Sequence, residues 1–207
     1  MRLLFRTLLL STILVMASVW LQSGYAAEET NSSNRSMVVD ILPASMHANF
    51  KADNFWVRGP NGKEVMSIFS SYPSVDTGIT WQKLSGYLDL KAGAGMLLNY
   101  RMGVFSAYGL AGWYQEVRPG VLFGPHGSLS YFFKPEWWGD TDIDFDNSLG
   151  WSLGFHVAAG DRLTYVLSVD YTSVAFDIAR HGEGITHSDD KLDMSGVSVG
   201  FGIRVEL

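Results

Sequence analysis

The chain has 207 residues, no cysteine and a formal charge of −6. That leaves room for one domain or one domain plus a tail, removes disulfide and thiolate chemistry, and argues against nucleic-acid binding. Only 17% of residues are charged, while 14% are aromatic and 22 are glycine, a profile unusual for a water-soluble enzyme.

At the start, Arg2 and Arg6 precede an apolar core from Leu8 to Trp20 and a small-x-small site at Gly24-Tyr25-Ala26. This is the pattern of a cleaved secretory signal peptide, residues 1–26. No Cys follows it for a lipid anchor, and its removal takes two arginines and no acid, moving the formal charge from −6 to −8. No later stretch approaches about 18 consecutive apolar residues, so any membrane passage has to be made by a closed barrel. Residues 27–36 are polar and read as disordered. Residues 37–62 hold short apolar clusters at Met37-Val38-Val39 and Phe55-Trp56-Val57, with a turn signal at Gly59-Pro60-Asn61-Gly62. A periplasmic lead-in, an extra hairpin and a small plug all fit this segment, so the barrel is expected over residues 63–207.

From residue 63 the side chains alternate with the two-residue period of strands. Val65 to Tyr72 reads as a weak first strand. Val75, Thr77, Ile79 and Trp81 follow on one face, then Leu88, Leu90, Ala92, Ala94, Met96 and Leu98 opposite Asp89, Lys91 and two glycines. Val104, Tyr108, Leu110 and Tyr114 oppose Ala107, Gly109, Ala111 and Trp113. Val121, Phe123, Leu129, Tyr131 and Phe133 share a face, with Pro125 interrupting the ladder. Leu149 to Val157 and Leu163 to Tyr171 alternate cleanly around a tight turn at residues 159–162. The last stretch, Val197 to Leu207, puts Val197, Val199, Phe201, Ile203, Val205 and Leu207 on one side. Ser198, Gly200, Gly202, Arg204 and Glu206 lie on the other.

Segments of about ten alternating residues separated by turns are the signature of a transmembrane barrel. Here the polar side is small and the apolar side bulky and aromatic, the reverse of a soluble sandwich. The fold class expected is all-β, a closed antiparallel up-and-down transmembrane barrel of eight strands, or ten if residues 37–62 add a hairpin. With the carboxyl end periplasmic, residues 134–147 and 177–193 become external loops.

Several constellations bear on function. Asp89, Lys91, His156, Asp170, Arg204 and Glu206 all fall on the inward phase, where buried charges need partners, and read as a structural polar network in the lumen. A narrow conducting path is the alternative. Asp140, Asp142, Asp144 and Asp146 alternate along one strand face and are weak metal candidates. Phe145 and Trp151 occupy the positions where a calcium loop needs Gly and Glu, so no EF-hand is present and no cofactor is expected. Trp137 and Trp138 suit an interfacial aromatic belt.

The terminal strand and the alternation over residues 65–207 resemble the small bacterial outer-membrane β-barrels, in particular the OmpA transmembrane-domain, OmpX/Ail and opacity-protein group. This chain finishes on Leu207, where that class usually carries Phe. The resemblance implies a structural or adhesin-like role through external loops in a Gram-negative outer membrane. It implies as partners the outer-membrane lipid and lipopolysaccharide, the barrel insertion machinery acting on the last strand, and a host or cell-surface ligand. With the chain ending at that strand, no peptidoglycan-binding domain is expected. Barrel-type lipid A deacylases use a His-x-Ser-Asn stretch. His126-Gly127-Ser128-Leu129 keeps the His and Ser but has Leu in place of Asn, and no third group to orient the base is visible nearby. A non-enzymatic role is expected.

Overall fold

The structure is a computed structural model and describes residues 35–83, 86–160 and 163–207. The leader reading of residues 1–26 and the start of the polar segment lie outside them. Eight strands form the wall: β1 Arg35–Asn49, β2 Ser74–Lys83, β3 Gly86–Asn99, β4 Met102–Arg118, β5 Val121–Trp137, β6 Ser148–Ala159, β7 Thr164–Ser173 and β8 Gly196–Glu206. Each pairs antiparallel with its neighbours, and β8 pairs back onto β1 through Val38↔Glu206 to Asn49↔Gly196, so the sheet closes without an edge. An eight-stranded barrel has an interior just wide enough for side chains. Among the described residues no helix is long and apolar enough to cross a membrane, which says nothing of strands.

The wall begins at Arg35, inside the segment expected to precede the barrel. β1 was illegible because its phase flips. Its register shifts between Ile41 and Ala44, at Leu42-Pro43, where proline cannot donate to the ladder. Val38 and Asp40 are buried before the bulge, and His47 and Asn49 after it. The weak strand expected over Val65 to Tyr72 is no separate wall strand. Phe69–Ser71 pairs with the tops of β1 and β3, the same two neighbours as β2, so it continues β2 upward across a break at Tyr72-Pro73. The eightfold count therefore stands with Arg35–Asn49 in place of the expected first strand, the other seven falling where expected. β5 in turn runs through Pro125, which sits opposite Phe155 in a continuous ladder with β6.

The outer face is apolar. Leu129 is 74% exposed and Leu149 78%, with Ile79, Leu90, Leu153, Phe155, Tyr165, Val169 and Phe201 also exposed around the ring. Rings stack on this face, as at Phe123–Phe155 (5.6 Å) and Tyr165–Phe201 (6.2 Å). A continuous apolar belt of this extent has no counterpart on a soluble monomer and matches a lipid-facing wall.

One strand departs from the small-inside, bulky-outside rule. In β4 Val104, Ser106 and Tyr114 are buried while Ala107, Gly109 and Ala111 are exposed, so Val104 and the tyrosines turn inward while Phe105 stacks on Phe133 on the other face. The neighbours make room for them. A Cβ at Gly93 would lie 2.6 Å from Tyr108 Cζ, and one at Gly112 would lie 2.3 Å from Tyr114 Oη.

Candidate functional site

Charges from four strands converge on one level of the lumen. Arg204 of β8 donates from Nε to Asp40 Oδ1 (2.8 Å) and from Nη2 to Asp40 Oδ2 (2.9 Å) and Asp89 Oδ2 (2.8 Å). Lys91 of β3 donates to Asp40, and its Nζ lies 3.2 Å from Asp89 and 3.6 Å from Asp76. Thr80 donates to the other Asp89 oxygen at 2.7 Å, and Tyr108 to Asp76 at 3.2 Å. All of these charged side chains are at most 5% exposed. Charges this deep persist only when paired and bonded, and here two cations hold three carboxylates across four adjacent strands of the wall.

A second polar group lies on the opposite wall. His126 of β5 and Asp170 of β7 both sit beside Gly154 of the intervening β6, whose missing side chain lets them meet. His126 Nε2 lies 2.5 Å from Asp170 Oδ1, and His156 packs against His126 and Tyr114. Ser128 is not on His126, because its Oγ lies 2.7 Å from Ser152 Oγ. The His-x-Ser stretch thus assembles no nucleophile–base pair. Between the two groups is a cavity of about 80 Å³ lined by hydroxyls and charges, among them Ser130, Ser168, Ser198, Tyr72 and Tyr108. That is room for several waters.

Above the cavity the lumen is covered. The segments 50–73, 138–147 and 174–195 fold together over the mouth, with Phe55, Val57, Met66, Ile143, Phe145, Phe176, Ile185, Leu192 and Met194 joining Leu97, Met102, Val104 and Phe132 of the wall in one apolar core. Two small sheets frame it. Ala175–His181 pairs with Lys191–Asp193 and Ile143–Phe145, while the hairpin Trp56–Gly59/Gly62–Val65 pairs with Thr186–His187. Phe55 packs on Phe145 at 5.9 Å, and Phe132 meets Phe176 edge-on at 6.0 Å. Asn49 and Asn99 hold the returning strand from below: Asn99 Nδ2 reaches Ser67 O and Phe69 O, each at 2.9 Å.

Glu64 is the polar knot of this cap and is 7% exposed. Its Oε1 accepts from Arg101 Nη1 and the Asp140 N–H, each at 2.9 Å, and its Oε2 from Trp137 Nε1 at 3.1 Å. Burial pushes the carboxyl up, but the bonds from Thr141, Asp140 and Trp137 and the Arg101 charge outweigh it and hold its pKa below the ordinary value. One side chain thereby ties the segment 50–73 to the turn at Arg101 and to residues 137–141.

Of the residues singled out in the sequence, Asp89, Lys91 and Arg204 share one network, and His156 and Asp170 line the cavity beside it. Glu206 stands apart, exposed at the end of the wall opposite the cap. Asp140, Asp142, Asp144 and Asp146 are exposed along one edge of the cap while Thr141, Ile143 and Phe145 point inward. Arg180 pairs with Asp144 at 2.9 Å and lies 3.8 Å from Asp142. Among the described residues no group of three or more potential ligands is placed to hold a metal ion. Sequence reasoning missed Asp40, Asp76 and Glu64. Asp76 lay on the inward phase and was open to notice, Asp40 was hidden by the β1 bulge, and nothing local marks Glu64.

The closed ring, polar lumen and apolar outer face define a small eight-stranded β-barrel of the outer-membrane type. No family model and no curated protein matches the chain. Among solved structures it is similar to Neisserial surface protein A (12% identity, 86% of this chain and 100% of that one, TM-score 0.41). It is also similar to the outer membrane protein OprG from Pseudomonas aeruginosa (10% identity, 84% and 96%, TM-score 0.42). A third is the outer membrane protein AlkL in lipid bilayers (11% identity, 88% and 95%, TM-score 0.44). Likenesses this distant carry nothing about function.

Proposed function

We propose that the protein sits in a Gram-negative outer membrane and serves as a structural or surface-binding envelope protein through its external cap. The observation that carries this reading is the folded cap, whose apolar core lies over the mouth of the lumen. Below the cap the Asp40–Lys91–Asp89–Arg204 network fills one side of the lumen and faces the His126–Asp170 pair across the cavity. The cap is then the part of the molecule that meets partners. On this reading the belt faces outer-membrane lipid and lipopolysaccharide, and the last strand is the handle for insertion.

Planar-bilayer recording tests it, with the shift in gel migration on boiling as the check that the barrel is folded. A flat baseline from heat-modifiable protein is expected. Steady single-channel openings from the same preparation would favour the narrow-channel alternative and overturn this reading.

A further inference from the structure

The lumen network carries more negative charge than its bases balance. Asp40 and Asp76 stand directly opposite each other across β1 and β2, a placement that destabilises a ladder when the charges are alike. With Asp89 they make three carboxylates against Lys91 and Arg204. That leaves one negative charge in excess, in a setting where an uncompensated charge is strongly destabilising. On the opposite wall Asp170 already has His126 beside it at 2.5 Å.

The excess falls on Asp76. Arg204 and Lys91 take both oxygens of Asp40, and Arg204 and Thr80 take those of Asp89. Asp76 receives the Tyr108 hydroxyl on Oδ2. Its Oδ1 accepts no hydrogen bond among the described residues, and the Lys91 ammonium stands off at 3.6 Å. The Asp76 side chain is 5% exposed and lines the cavity of about 80 Å³, where hydroxyls of Ser74, Ser130, Ser168 and Thr172 join it. A buried carboxylate oxygen without a donor, on a water-sized cavity walled by neutral oxygens, suits a hard cation.

The oxygens also select its charge. Divalent ions are held by several carboxylates, and among the described residues no group of three or more His, Asp or Glu is placed to hold one. A monovalent ion accepts neutral oxygens in place of its hydration shell, and it supplies the single charge that is missing. We infer that the lumen cavity binds one monovalent metal cation, held by Asp76 and the hydroxyls beside it. The ion completes the balance begun by Lys91 and Arg204 and relieves the repulsion between Asp40 and Asp76. This site does not depend on what the cap binds.

The test follows urea unfolding of the purified protein in non-ionic micelles, at one pH and ionic strength, in sodium, potassium or tetramethylammonium chloride. A ligand bound only by the folded state lowers the unfolding constant about tenfold when present at about ten times its Kd. A saturable lowering of that size is expected in sodium or potassium and none in tetramethylammonium, whose methyl groups bar contact with oxygen. Asp76→Asn leaves two carboxylates to two bases in the network, so it should keep the gel-migration shift and lose the response. Ser74→Ala removes only a neutral oxygen and should weaken the response, which serves if Asp76→Asn fails to fold. Asp142→Asn, on the exposed edge of the cap, should keep it in full, which separates the lumen from the surface. The sodium-23 resonance should broaden with the wild-type protein and not with Asp76→Asn. Equal unfolding in the three salts, the result for a lumen neutralised by protons alone, overturns the inference. So does a sodium response that survives Asp76→Asn or disappears in Asp142→Asn.

Discussion

Arg204 stands directly across the closing seam from Asp40 and grips it at two points. The seam joins strands from opposite ends of the described chain, so this pair fastens the ring where chain connectivity gives no help. Removing the cation by Arg204→Met leaves Asp40 and Asp89 buried with Lys91 as their one remaining cation. Breaking a buried pair on one side costs about 3–5 kcal/mol. The variant should unfold at distinctly lower urea in micelles, and adding Asp40→Leu should recover part of the loss because no orphan charge then remains at the seam.

Glu64 gives the cap an acid limit. Its folded-state pKa is held below its ordinary value of 4.5. The stability it contributes is therefore complete above that value and is lost as the pH falls through the lower, folded one. Trp137 fluorescence and protease cleavage of the external segments should report loosening on acidification below about pH 4.5, with the gel-migration shift still present. Glu64→Gln should loosen the cap at neutral pH, since bonds to a charged acceptor are worth about 1.5–3 kcal/mol, and should remove most of the acid transition.

The wall from β3 to β8 was legible because its strands keep one phase over most of their length, β5 losing it only near Lys134 where its register with β4 shifts, and lipid on one side against a crowded lumen on the other makes that phase conspicuous. β1 was not, because Pro43 shifts its register and a reader following every second residue loses the inward side halfway along. Tyr72-Pro73 misled in the opposite sense, dividing one wall position into two apparent strands. The inward turn of β4 was hidden for a different reason. Bulk alone does not assign a face when glycines on the neighbouring wall, such as Gly93 beneath Tyr108, supply the space. The lumen charges on regular strands could be placed from period two, but Glu64 could not, since its partners Arg101, Trp137 and Asp140 come from segments that meet only in the folded cap.

Glycines on the two sides of the structure should respond oppositely to one added methyl. At Gly109, on the outer face of β4, a Cβ would have nothing within 4 Å, so Gly109→Ala should leave the unfolding midpoint unchanged or raise it slightly. At Gly139 a Cβ would lie 2.3 Å from Glu64 Oε2 and 2.4 Å from Trp137 Nε1, displacing the groups that tie the cap. Gly139→Ala should therefore copy Glu64→Gln in protease sensitivity. Equal behaviour of the two alanine variants would mean that the close approach at Gly139 is not what holds the external segments together.

The cap core should be separable from the wall. Phe176 is fully buried, packs edge-on against Phe132, and sits among Leu192, Met194 and Val174. Its replacement by alanine leaves a cavity and costs about 3–5 kcal/mol. The wall draws its strength from a closed ladder and the lumen ion pairs, and Phe176 meets it through the Phe132 ring without sharing in either. Phe176→Ala should accordingly expose the stretch around Gly182 and Gly184 to protease in micelles while the unboiled protein still migrates as the folded form. Loss of the migration shift in this variant would show that the wall needs the cap to stay closed, and would make the external segments part of the barrel's own stability.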